Sequence, residues 1–208
     1  MTTAREEILA RIRAALPAQG TLAPLQEPAY QRKGNLDREA RLELLRDRLL
    51  DYDADVVDIA AESELPSTIA AALSKAGEKD VVVAAEFPQQ WLPEGFAITI
   101  DRDLSIERLD AMQVVITTCE AAIASTGTII LIHEGAQGRR AITLLPDHHI
   151  CLVRRAQVFE VVPEAFEAIS GKSTKPITTI SGPSATSDIE MTRVRGVHGP
   201  RRLTVILY

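Results

Sequence analysis

Cysteine is scarce in this sequence: Cys119 and Cys151 are the only two, and they form no Cys-x-x-Cys pair. That spacing argues against an iron–sulfur cluster or a Cys₄ zinc held by this chain alone. Both cysteines stand among apolar neighbours and read as small buried hydrophobes. Long apolar runs are missing too, so no membrane span is expected. The opening stretch, MTTAREEILARIRAAL, alternates charged and apolar residues and lacks a signal-peptide core. A reduced, cytoplasmic setting is the expectation. Nor is there an excess of positive charge: 23 basic residues stand against 29 acidic, a net charge of −6. This argues against nucleic acid or an anionic membrane surface as partner. No P-loop, GxGxxG or nucleophile elbow occurs, so no nucleotide or serine-nucleophile chemistry is assigned. No His-x-x-x-His spacing occurs either, and no metal ligand is assigned.

What is present suits one α/β domain with a small helical appendage, since 46% of the residues are hydrophobic and 25% charged. Thr3 to Leu16 reads as an amphipathic helix, with Thr3 and Glu6 as a capping box. A proline-containing linker follows, then a second helix from about Leu36 to Tyr52 with Leu42, Leu45 and Leu49 as its stripe. These two helices, residues 1–52, form an N-terminal helical arm; residues 53–208 form the α/β domain. There the pattern alternates strand and helix. Strands are expected at Val56–Ile59, Val81–Ala84, Ala97–Ile100, Val114–Thr117, Ile129–Ile132, Ile150–Val153, Thr178–Ile180 and Leu203–Leu207. Helices are expected after Ser63, read as a cap, and over Val162–Ile169. Such alternation implies βαβ units and an open, mostly parallel sheet flanked by helices.

Ligands of open parallel sheets usually sit beyond the carboxyl ends of the strands. Glu120, after the strand ending at Thr117, is therefore a candidate acid or base. The following Ser125-Thr126-Gly127-Thr128 turn offers hydroxyls and freed N–H groups to an oxyanion, or makes an ordinary turn. Gly135–Gly138 reads as a flexible loop. His148 and His149 precede a strand, where one would face inward and the other outward. The richest stretch is Ser181–Pro200, SGPSATSDIEMTRVRGVHGP, whose glycines and prolines prescribe the backbone path and whose hydroxyls suit an anion cradle. Arg139-Arg140, Arg154-Arg155 and Arg201-Arg202 are candidate basic patches for an anionic ligand, or solvated loop and strand ends. Three loops, at 120–128, 146–149 and 181–200, are expected to meet above the sheet.

The order of Ser125-Thr126-Gly127-Thr128, Leu144-Leu145-Pro146 with His149, Ser181-Gly182-Pro183-Ser184, Asp188-Ile189-Glu190 and Gly196-Val197-His198-Gly199-Pro200 resembles the LUD-domain family, in its lactate-utilisation C type. The resemblance covers roughly Val56 to Tyr208. It implies a fold related to the NagB/RpiA/CoA-transferase group. It also implies a role in oxidising L-lactate to pyruvate beside two partner proteins that carry iron–sulfur centres, with no cofactor in this chain. The candidate catalytic residues are Glu120, Asp188 and His198. The candidate substrate-binding residues are Thr126, Gly127, Thr128, His149, Ser181, Gly182, Ser184, Glu190 and Gly199. Two other functions remain open: a stand-alone isomerase or acyl-transfer enzyme, or a ligand-binding module, for a small anionic metabolite.

Overall fold

The computed structural model describes residues 3–15, 30–171, 174–187, 193–196 and 198–208, with the backbone alone for 185–187 and 193–195. The chain divides into two compact units, Met1–Tyr30 and Gln31–Tyr208. In the first, Thr3 and Glu6 exchange the two bonds of a capping box, at 2.7 and 3.4 Å. Helix α1 (Ala4–Ala15) follows, with Ile8 and Ile12 exposed.

The second unit opens with α2 (Arg38–Asp51), capped by the Asp37 carboxylate, which accepts the Ala40 N–H at 2.9 Å. Its stripe of Leu42, Leu45 and Leu49 is buried as the spacing requires. Strand β1 (Asp55–Asp58) leads to a 3₁₀ turn at Glu62–Glu64 and then α3 (Leu65–Ala76). Ser63 is therefore not the cap of this helix. The extra turn moves the cap to Glu64, whose carboxylate instead accepts the Ala61 N–H at 2.8 Å.

Next come β2 (Asp80–Ala84), β3 (Ala97–Asp101), α4 (Ile106–Asp110) and β4 (Val114–Thr118). The chain then makes β5 (Ala121–Ile123), β6 (Thr128–Ile132), β7 (His148–Val153), β8 (Val158–Phe159), α5 (Val162–Ile169) and β9 (Ile177–Ile180). A hairpin of β10 (Ala185–Ser187) and β11 (Arg193–Arg195) precedes β12 (Arg202–Leu207). Among the described residues, no helix is long and apolar enough to cross a membrane.

Six strands form one sheet in the order β1-β12-β7-β4-β2-β3, and every neighbouring pair in it is parallel. A parallel sheet needs cover on both faces, which is why its central strands are continuous apolar runs. On one face α3 packs its Leu65, Ile69 and Leu73 against Val81, Val83, Ile116, Ile150 and Ile206. On the other, the α2 leucines and the residues of a second sheet meet Cys151, Val153, Leu203, Val205 and Leu207. That second sheet, ordered β8-β5-β6-β9, is largely antiparallel and is not evident in the sequence.

The turns that close the second sheet lie hard against the end of α2. Gly127 has φ +57°, and a Cβ there would stand 2.8 Å from the Arg48 Cβ and 3.0 Å from the Arg48 backbone carbon. At Gly182, φ is +78° and an added Cβ would fall 2.5 Å from that of Tyr52. Both positions need left-handed backbone and an absent side chain at once. Gly182→Ala is expected to lower stability by about 2–4 kcal/mol. Gly95 shares the positive φ but faces open space, so Gly95→Ala should cost only about 1 kcal/mol. Equal losses in thermal denaturation would show that contact with α2 is not the constraint.

Candidate functional site

The turns at 181–184 and 196–200 are tied together at one serine. Ser184 donates its N–H to the Pro200 carbonyl at 2.8 Å, and its own carbonyl accepts the Gly196 N–H at 2.9 Å. The Ser184 hydroxyl accepts the His198 N–H at 3.1 Å. These bonds lay the stretch across the amino ends of β7 and β12, where it encloses a cavity of about 230 Å³. His149 and Leu203 line it from the sheet, Thr178 to Ser181 from β9 and its exit, and Arg140, Thr143 and Arg202 complete it.

Of the residues singled out in the sequence, His149, Ser181, Gly182, Ser184, His198 and Gly199 line this cavity together. Thr126 and Thr128 stand behind it in a chain of hydroxyls. The Thr126 and Thr128 oxygens are 2.7 Å apart, and Thr128 lies 2.8 Å from the Ser181 hydroxyl. Gly127 lies against α2 rather than in the lining. Asp188 and Glu190 lie outside the described residues.

Glu120 is not part of the lining. It follows the carboxyl end of β4, whereas the cavity is at the amino ends of β7 and β12; β7 pairs parallel with β4, and β12 parallel with β7. Residues 149 and 181–184 thus meet at the cavity with Thr126 and Thr128 behind them, while Glu120 at the start of the first loop stands elsewhere. The space beyond β4 is filled instead: Gln157 donates to the carbonyls of Cys119 and Glu120 at 3.0 and 3.3 Å. Gln137 donates to the Glu120 carboxylate at 3.3 Å and accepts the Ile132 N–H at 2.6 Å. That buried glutamine makes 135–137 a pinned 3₁₀ turn, where the sequence suggested a flexible loop.

The two adjacent histidines also depart from expectation. Both belong to β7 and both are buried, 3% and 1% exposed, because the sheet is covered on each face. His148 faces α3: its Nδ1 is 2.7 Å from the Glu78 carboxylate and its Nε2 is 2.9 Å from the Thr204 hydroxyl. His149 faces the cavity side, with Nε2 2.8 Å from the Thr117 hydroxyl. Burial, then the neighbouring His148 and Arg140, push the His149 pKa down to about 3. Its imidazole is therefore neutral at pH 7 and serves as a hydrogen-bonding floor, too weak a base to hold a proton there.

Arginine supplies the charge. In the doublet Arg139-Arg140, Arg139 pairs with Asp101 at 2.7 Å while Arg140 turns into the cavity. In Arg201-Arg202, Arg201 pairs with Asp147 at 2.5 Å and Arg202 lines the cavity while pairing with Glu78. Each of these two doublets thus sends one guanidinium to an aspartate and one to the cavity, whereas Arg154 and Arg155 lie outside the lining. Arg140 donates to the Thr143 carbonyl and hydroxyl at 3.3 and 3.2 Å, and burial pushes its pKa down. No carboxylate pairs with it among the described residues. A guanidinium partly desolvated, with no counter-charge among the described residues and several hydroxyls beside it, is suited to a small anion.

A six-stranded parallel sheet covered on both faces places the protein among α/β domains. The LUD domain family model matches residues 3–208, and the chain belongs to that family. Among its relatives is Lactate utilization protein C of Deinococcus radiodurans, 44% identical over 98% of this chain and 95% of that protein. A protein of the same name from Bacillus pumilus is 30% identical, again over 98% of this chain and 95% of its own length. A crystal structure of a DUF162 family protein from Deinococcus radiodurans superposes with a TM-score of 0.73 at 43% identity. It covers 83% of this chain and 99% of that one.

A pH dependence follows from His149. Its pKa in the fold, about 3, lies below the ordinary value near 6.5, so the unfolded chain binds a proton that the folded chain refuses. Stability from this group is intact above about pH 6.5 and is lost as pH falls towards 3, at up to about 1.4 kcal/mol per pH unit. Urea denaturation between pH 7 and 4 should show a slope about one proton smaller in His149→Gln. Coincident slopes would mean that His149 titrates normally in the fold.

Proposed function

We propose that this protein is a subunit of a lactate-utilisation system and binds a small carboxylate in the Arg140 pocket. In that system L-lactate is oxidised to pyruvate together with iron–sulfur partner proteins, in the cytoplasm. The family membership and the names of its near full-length relatives support the pathway. The observation that carries the site is Arg140, a cavity-lining guanidinium with hydroxyl and carbonyl contacts but no carboxylate partner among the described residues.

A carboxylate would take two parallel N–H bonds from that guanidinium. The 2-hydroxyl of lactate or the 2-oxo group of pyruvate would then face Thr178, Ser181 and Ser184, which also line the cavity. Oxidation removes two electrons and two protons from lactate. The electrons would be taken up by iron–sulfur centres of the partners and the protons released to solvent; this chain's two cysteines are both buried thiols. The Cys119 pKa is pushed well up by its hydrogen bond with Cys151 and by burial, so it keeps its proton.

A thermal-shift series with lactate and pyruvate tests the site. A ligand at a hundred times its dissociation constant adds about 2.7 kcal/mol, a rise of about 5–10 °C for a chain of this size. Arg140→Gln should abolish the shift while leaving the melting temperature of the free protein nearly unchanged. Lactate oxidation should appear only when the partner proteins are added. Oxidation by this chain alone, or turnover of a sugar phosphate or acyl-CoA, would overturn the proposal.

A further inference from the structure

Two guanidiniums line the cavity, yet the described lining residues leave one positive charge uncompensated. Arg202 is paired with Glu78, a carboxylate only 4% exposed, positioned just past the end of α3 by its N–H bond to the Leu73 carbonyl. Glu78 takes Arg202 on one oxygen and His148 on the other, at 2.7 Å for the histidine. A buried carboxylate is stable only while such partners remain, so Arg202 is bound to it and its charge is spent there. Arg140 has no such partner among the described residues. His149, the imidazole at the floor, is neutral.

We infer that the pocket selects monoanionic carboxylates over dianions, and that Glu78 sets this preference through Arg202. The inference rests on the anion-binding reading of the site. A monocarboxylate neutralises Arg140 and leaves the charges of the described lining balanced. A dicarboxylate or phosphate dianion brings a second negative charge that finds Arg202 already neutralised and the Glu78 carboxylate beyond it. A like charge in a partly desolvated site is strongly disfavoured. A 2-hydroxy or 2-oxo monoacid fits this charge balance; phosphate esters and dicarboxylates do not.

Calorimetric titration of the full chain at pH 8, above the ordinary imidazole range, would use pyruvate, malonate and inorganic phosphate. The wild type should bind pyruvate at least about tenfold more tightly than either dianion. Glu78→Gln frees Arg202 and should shift the ratio about tenfold or more towards the dianions. Glu78→Asp, which keeps the charge, should retain the original preference. The double variant Glu78→Gln/Arg202→Gln removes both members of the pair and should restore it. A merely structural role for Glu78 would weaken all three ligands alike and leave the ratios unmoved, which would overturn the inference. Tighter binding of malonate or phosphate than of pyruvate by the wild type would overturn it without any variant. Failure of all three anions to bind would overturn the anion-site reading itself.

Discussion

Strand β7 lies in the interior of the six-stranded sheet, and each of its residues from His148 to Val153 is buried. Its first two positions are histidines, which the pleat sends to opposite faces. A buried imidazole must be satisfied within the protein, because water is absent and an unmet polar group costs a few kcal/mol. On one face that requirement brings in Glu78 and Thr204, and on the other Thr117. The placement of Glu78 then fixes Arg202, and the neutral His149 becomes the floor of the cavity. Much of the chemistry at the amino ends of the sheet thus descends from two side chains that β7 could not leave unpaired.

The fold was legible where pattern is strong. The leucine stripe of α2, the buried face of α3 and the apolar runs of β2, β4, β6 and β12 announce themselves by period and by continuity. Strands β5 and β8 did not. They have three and two residues, too few for any period: β5 is held by its sequence neighbour β6, and β8 pairs with β5 from farther along the chain. The same tertiary override carried His148 and His149 into β7, although Pro146-Asp147 before them reads as a turn.

The site was half legible. Ser181, Gly182, Ser184 and Gly199 stood out as turn-makers, and the turns they make do enclose the cavity. The cavity lies at the amino ends of β7 and β12, whereas the usual preference for carboxyl ends is a tendency of the fold class and not a property of these residues. Motifs also mix roles: Gly127 and Gly182 stand close together with pocket hydroxyls, yet what they need is room against α2. The arginine doublets carried the missing signal. Nothing in the sequence tells which member of a doublet meets an aspartate, because Asp101 and Asp147 reach them only after folding.

The position of β12 has a consequence for how the molecule is made. Residues 202–207 are synthesised after every other strand of the main sheet, yet they pair with β1 on one side and β7 on the other. Until they emerge, β7 has one unpaired edge, and β1, whose strand partner is β12, is not yet joined to the sheet. Closure joins segments about 150 residues apart (Asp55 with Thr204), a contact of high order that forms late and slowly. During translation the unpaired edge of β7 is the kind of surface that pairs with other chains, and it is covered only when the last strand arrives.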